Sequence, residues 1–143
     1  MNDRRRRYGR LLKLKQGMER VAGMALVRAE RARDAASDEV AAVQDAVAQA
    51  YRWRDGCRTG ADLHLWHEYV QALTQRARHG TAKLAEAEAQ VERDRQRVRE
   101  AHREVKRWEL ALESEIQLDR ALRLRGLQRE LDDHVARSWR RGG

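Results

Sequence analysis

Three groups of side chains have types and spacings that could do chemistry. His64 and His67 stand three residues apart and could share a metal ion. Cys57 has Arg54 and Arg58 close by, and positive charge favours a reactive thiolate. Arg4, Arg5, Arg6 and Arg7 form a run that could grip phosphates. None of the three becomes a site. The histidines have no Cys or carboxylate at ligand spacing, so they read as two polar side chains on an exposed helix face. A lone loop thiol is most simply incidental, and the chain has no glycine-rich phosphate loop, no G-x-S-x-G and no spaced Cys/His set. The sequence therefore predicts no enzyme, no cofactor, no metal and no small-molecule substrate.

The elements that must carry these residues are helices. The chain has 143 residues, no Pro, no Phe and 38% charged residues. Abundant helix formers without Pro predict an all-α chain. So much charge leaves apolar residues only for a narrow stripe along each helix. The single cysteine excludes an internal disulfide framework and points to a reducing compartment. No apolar run approaches the ~18 residues of a spanning helix. The basic N-terminus lacks the apolar core of a secretory signal, so the expectation is a cytoplasmic protein.

Two apolar patterns flank one bend. The first runs Leu14, Met18, Val21, Ala25, Ala29, Ala32, Ala36, Val40, Val43, Val47 and Tyr51. Its 4,3,4 spacing is an 11-residue period. The second is a strict heptad from Trp66 through Val70, Leu73, Ala77, Gly80, Leu84, Ala87 and Val91 to Leu112, with Asp94 as its polar break. Between them lies "DGCRTG". Gly56 can take the left-handed position that ends the first helix, and Thr59 with Asp62 resembles a capping box, with Asp62 an alternative N-cap. So short a connection predicts a single long two-helix antiparallel coiled-coil hairpin with a C-terminal helical overhang. Its helix one spans about 5–55, its loop about 56–61 and its helix two about 62–138. Equal rise along both helices sets Leu14 in the neighbourhood of Arg103 and Arg4 in the neighbourhood of Glu113. Residues beyond about 115 overhang, with Ile116, Leu118, Leu122, Leu124, Leu127, Leu131 and Val135 lacking an intramolecular partner.

Charge is unevenly spread. Residues 1–33 carry 11 basic and 3 acidic groups, net +8, and residues 120–143 carry 7 and 3, net +4. The middle, 34–119, carries 13 and 17, net −4. A hairpin brings both basic ends together at one end of a rod and leaves the bend, with its aromatics, at the other.

This layout resembles a known family. A basic N-terminus, a helix of some 45 residues, a short loop, then "LWHEYVQAL" opening a longer helix with "VKRWELALE" further on is similar to the type III export stalk family, which comprises flagellar FliJ and the injectisome proteins SctO and YscO. The resemblance implies a two-helix stalk whose paired termini enter the pore of a hexameric export ATPase. It implies that the loop end reaches the cytoplasmic ring of the export-gate membrane protein, and that export chaperones are further partners. The location implied is cytoplasmic, peripheral to the inner-membrane export apparatus. The ATPase contacts implied here are Arg4, Arg5, Arg6, Arg7, Arg10, Leu118, Leu122 and Leu127. The gate contacts implied are Tyr51, Trp53, Trp66, Tyr69 and Leu73.

Aromatics give much interface energy per residue, which suits the tip of a rod. Packing on each other to close the hairpin is the competing role. Trp66 lies in the seam and reads as the plug, whereas Trp53 and Tyr69 lie off it and read as contacts. Two other functions fit the composition: a basic coiled coil binding nucleic acid, and a scaffold or chaperone binding partner helices through the overhang. Charge concentrated at one end disfavours nucleic acid, because duplex binding calls for a basic stripe along the length.

Overall fold

The computed structural model describes residues 3–142. Helix α1 spans Asp3–Trp53, a 3-10 turn covers Arg54–Gly56, and helix α2 spans Gly60–Gly142. The two helices pack as an antiparallel all-α hairpin, and no strand occurs among the described residues. Their contacts group into two units, one formed by residues 21–99 and one by 3–20 with 100–142.

In the first unit α2 presents its heptad as read: Val70, Leu73, Gly80, Val91 and Asp94 are buried, with Trp66, Ala77, Leu84, Ala87 and Val98 half-buried between them. Helix α1 answers with Ala29, Ala36, Val43 and Ala50, each seven residues from the next and all buried. The half-buried Ala22 begins the same row, and the half-buried Leu26, Arg33, Val40 and Val47 fill the alternate positions. Small residues in this seam let the axes approach, since helix separation follows the side chains at the contact. Gly80 is buried against α1, where an added Cβ would meet Val40 Cγ2 at 3.4 Å. That distance is contact without overlap, and glycine costs a helix interior about 1 kcal/mol relative to alanine. Gly80→Ala should therefore stabilise the hairpin by about 0.5–1 kcal/mol in urea unfolding followed by circular dichroism. A loss of stability would mean that the two backbones cannot part even slightly here.

Asp94 is buried, at 4% exposure, yet stays in its own helix's hands. It accepts from Gln90 Nε2 at 3.2 Å and Arg97 Nη1 at 3.3 Å, one turn before and one turn after it. A buried carboxylate needs such donors, and a lone polar seam residue favours one register over its neighbours at some cost in stability.

The second unit corrects the 11-residue reading of helix one. Leu14 and Met18 are exposed, and Lys15 and Glu19 stand in the seam with Tyr8 and Leu12. Val21 is likewise exposed in the neighbouring unit, and Ala22 takes its place. The seam is one residue further along than apolarity suggests, and it keeps the same heptad as α2. Two helices coil on each other only if their stripes share a period, so the α2 heptad imposes its own on α1. Polar heads are tolerated because each finds a partner across the pair. Lys15 Nζ lies 3.8 Å from Glu104 Oε2, and Glu19 Oε2 lies 3.2 Å from His102 Nδ1. Arg4 meets Glu115, two residues beyond the expected Glu113.

The bend also differs in detail. No glycine or other described residue has a positive φ, so Gly56 does not end α1 by a left-handed turn. The chain tightens into the 3-10 turn instead, and the Cys57 amide donates to the Arg54 carbonyl at 3.1 Å. This supplies one orphan carbonyl of the helix end with a partner without requiring glycine geometry. Thr59 caps α2: its hydroxyl accepts the Asp62 amide at 3.1 Å, and its carbonyl accepts the Leu63 amide at 3.1 Å. Asp62 reaches back to the Arg58 amide at 3.4 Å, a capping box extended by one residue. Gly126 neither ends nor interrupts α2, which runs on to Gly142.

Candidate interaction surfaces

The bend surface belongs to the unit of residues 21–99, and its aromatics divide into two groups. Trp66, half-buried, donates from Nε1 to the Ala50 carbonyl at 2.6 Å. Ala50 is in the last turn of α1, where carbonyls lack intrahelical donors, so the indole of one helix caps the other. Tyr51 stacks edge-on against the same indole, with ring centroids 5.4 Å apart and planes at 78°. Arg54 covers it with its guanidinium carbon 5.3 Å from the ring centroid. Beneath lies the buried cluster of Ala50, Val70 and Leu73, with Ala46, Val47 and Trp66 packed against it. Outside it stand Trp53, 59% exposed, and Tyr69, 45% exposed.

Of the residues nominated for the gate, Leu73 is 7% exposed and offers no surface to a partner. Trp66 is committed to Ala50, Tyr51 and Arg54. Tyr51 keeps half its surface in solvent while bracing Trp66. The outward aromatic surface is Trp53 and Tyr69. Two exposed leucines that sequence reasoning did not nominate lie nearby in the chain, Leu63 and Leu65. Leu65 and Tyr69 are one turn apart and share a face of α2. Leu65 lies off the heptad, and that was the available signal; Leu63 stands one heptad before Val70 but is 46% exposed at the start of α2. Of the remaining bend chemistry, His64 Nε2 lies 3.2 Å from Glu68 Oε1 at the surface, and the Cys57 thiol donates to the carbonyls of Trp53 and Asp62 at 3.8 and 3.9 Å.

The other unit concentrates charge. Its described residues carry 18 basic and 11 acidic side chains, net +7 of the chain's +8. Arg4 and Arg5 turn inward on Glu115 and Asp119, at 3.5 Å and 4.0 Å. These two acids continue the α2 heptad past Leu112, so the seam closes in ion pairs where its apolar residues stop. Tyr8 packs edge-on against Trp108, with centroids 5.3 Å apart. Arg6, Arg7, Arg10 and Lys13 line a shallow groove on α1 together with Asp3 and Gly9. Beyond this, from Arg120 to Gly142, every residue of α2 is exposed, and Leu118 and Leu122 are exposed as well.

A family model described as the flagellar FliJ protein matches residues 4–143, nearly the whole chain. The chain belongs to that family. Membership places it, at the level of the family, with the stalk of the flagellar export apparatus, a non-catalytic structural component. No curated protein and no solved structure gives a match. Among the described residues of this FliJ-family chain, no helix is long and apolar enough to cross a membrane, and no group of three His, Cys, Asp or Glu side chains is placed to hold a metal.

Proposed function

We propose that the chain is the non-enzymatic central stalk of a flagellar export ATPase complex. In this reading the paired part of that unit, residues 3–20 with 100–122, enters the pore of a hexameric ATPase, and the bend contacts the cytoplasmic ring of the export gate. ATP hydrolysis is thereby coupled to protein export in the cytoplasm beside the inner membrane, with export chaperones as further partners. The observation that carries the reading is the FliJ match over residues 4–143. The +7 unit supports it, because a concentrated positive field suits an acidic pore and speeds encounter with it.

Arg7 and Arg10 line the groove on α1, and Leu118 and Leu122 are the exposed apolar residues next to the paired region. Arg4 and Arg5 contribute mainly by closing the seam against Glu115 and Asp119. Reversing charge in Arg7→Glu/Arg10→Glu, or introducing it in Leu118→Glu/Leu122→Glu, should lower stimulation of the cognate ATPase about tenfold or more, the loss of a single interface hot spot being ~2 kcal/mol. Helicity should be unchanged, as these side chains lie outside the seam. Undiminished stimulation by both variants would refute the insertion, and salt-sensitive duplex binding without any ATPase effect would favour nucleic acid as the partner.

A further inference from the structure

We propose that residues 121–142 of α2 form a basic amphipathic helix that lies in the headgroup region of an anionic lipid bilayer. The inference goes beyond the stalk reading and uses a face that takes in Leu127 but neither Leu118 nor Leu122. At 3.6 residues per turn, Leu124, Leu127, Leu131, Val135 and Trp139 share one face roughly 120° wide. The same face holds no charged residue. All nine charged residues of the segment, six Arg and three acidic, occupy the rest of the circumference and give it net +3. Leu118 and Leu122 point off this face. Nothing among the described residues covers it, and Trp139 at its far end is 80% exposed.

The chemistry of the segment selects the occupant. A second copy of the chain would cover the stripe only by bringing two +7 units together. A nucleic-acid duplex would satisfy the arginines and leave the leucines in water. An anionic bilayer surface takes both: the stripe enters the acyl boundary while arginines reach the headgroups. Indole suits that depth, being apolar with one polar edge. The segment is too charged to cross the bilayer, so it lies along the surface. Arginines near an anionic leaflet add to the attraction, and salt weakens that part only.

The test mixes the full chain with vesicles of phosphatidylglycerol and phosphatidylcholine, and separately with phosphatidylcholine alone. Co-sedimentation with the anionic vesicles is expected, with a blue shift of tryptophan emission that Trp139→Ala removes. Leu131→Glu puts a carboxylate in the middle of the stripe and should weaken vesicle binding about tenfold or more. It disturbs no packing, since the segment is exposed all round. Failure to bind anionic vesicles overturns the proposal. So does binding that Leu131→Glu leaves unchanged, which would be charge attraction alone. Self-association lost in Leu131→Glu without vesicle binding overturns it in favour of a second copy, and ATPase stimulation lost in Leu131→Glu without vesicle binding does so in favour of a protein partner. Leu118→Glu/Leu122→Glu should keep vesicle binding while losing ATPase stimulation, so the two readings fail separately.

Discussion

Trp66→Ala should destabilise the hairpin by about 2–4 kcal/mol, at the low side of the range for deleting a large core aromatic because the indole is only half-buried. Three losses combine. The ring leaves a gap above Ala50, Val70 and Leu73. The Ala50 carbonyl loses its 2.6 Å donor at a helix end that has few alternatives. Tyr51 and Arg54 lose the surface on which they stack. Trp66→Phe separates these terms, since it keeps most of the ring and loses the N–H; a cost near 1 kcal/mol is expected for the hydrogen bond alone. Urea unfolding by circular dichroism reads both variants. A cost below about 1 kcal/mol for Trp66→Ala would mean that the bend is held by α1 and α2 farther along and that the indole plugs nothing.

The reason these effects can be assigned is that α2 was legible and much of α1 was not. From Trp66 to Leu112 the apolar residues are evenly spaced and broken once, at Asp94, so the heptad declares itself. In the first half of α1 the inward positions include Lys15, Glu19 and Ala22, and the outward ones include Leu14, Met18, Val21 and Met24. Over Leu14–Val21 hydrophobicity therefore points to the wrong face by one residue, about 100°, whereas Ala29, Ala36, Val40, Val43 and Val47 lie inward as read. Partners decide it: Lys15 and Glu19 belong in the seam only because Glu104 and His102 stand opposite, and no single-helix pattern contains that fact. The bend shows the same limit. Thr59 and Asp62 announced a capped start, but Gly56 suggested a left-handed end that a 3-10 turn makes unnecessary. Leu73 could be named from a resemblance as a contact, yet its heptad position had already placed it inside.

The double variant Trp53→Ala/Tyr69→Ala should melt almost as the unaltered protein does. Both side chains stand away from the buried cluster, and exposed substitutions usually move stability by no more than about 0.5 kcal/mol. Binding to the cytoplasmic ring of the export gate should fall by about 2 kcal/mol, roughly thirtyfold, if either ring is a hot spot. Aromatics at interfaces concentrate energy because a rigid ring buries large area at low entropic cost. The pairing with Trp66→Ala makes the result decisive. That variant weakens the hairpin and lowers gate binding only through the loss of folded protein, whereas the tip variant lowers binding with the fold intact. Thermal unfolding by circular dichroism and calorimetric titration with the gate domain measure the two effects separately. An early melt of the tip variant would make Trp53 and Tyr69 structural. A normal melt with normal binding would remove the aromatic tip from the gate interface and turn attention to Leu63 and Leu65, the exposed apolar residues left at the start of α2.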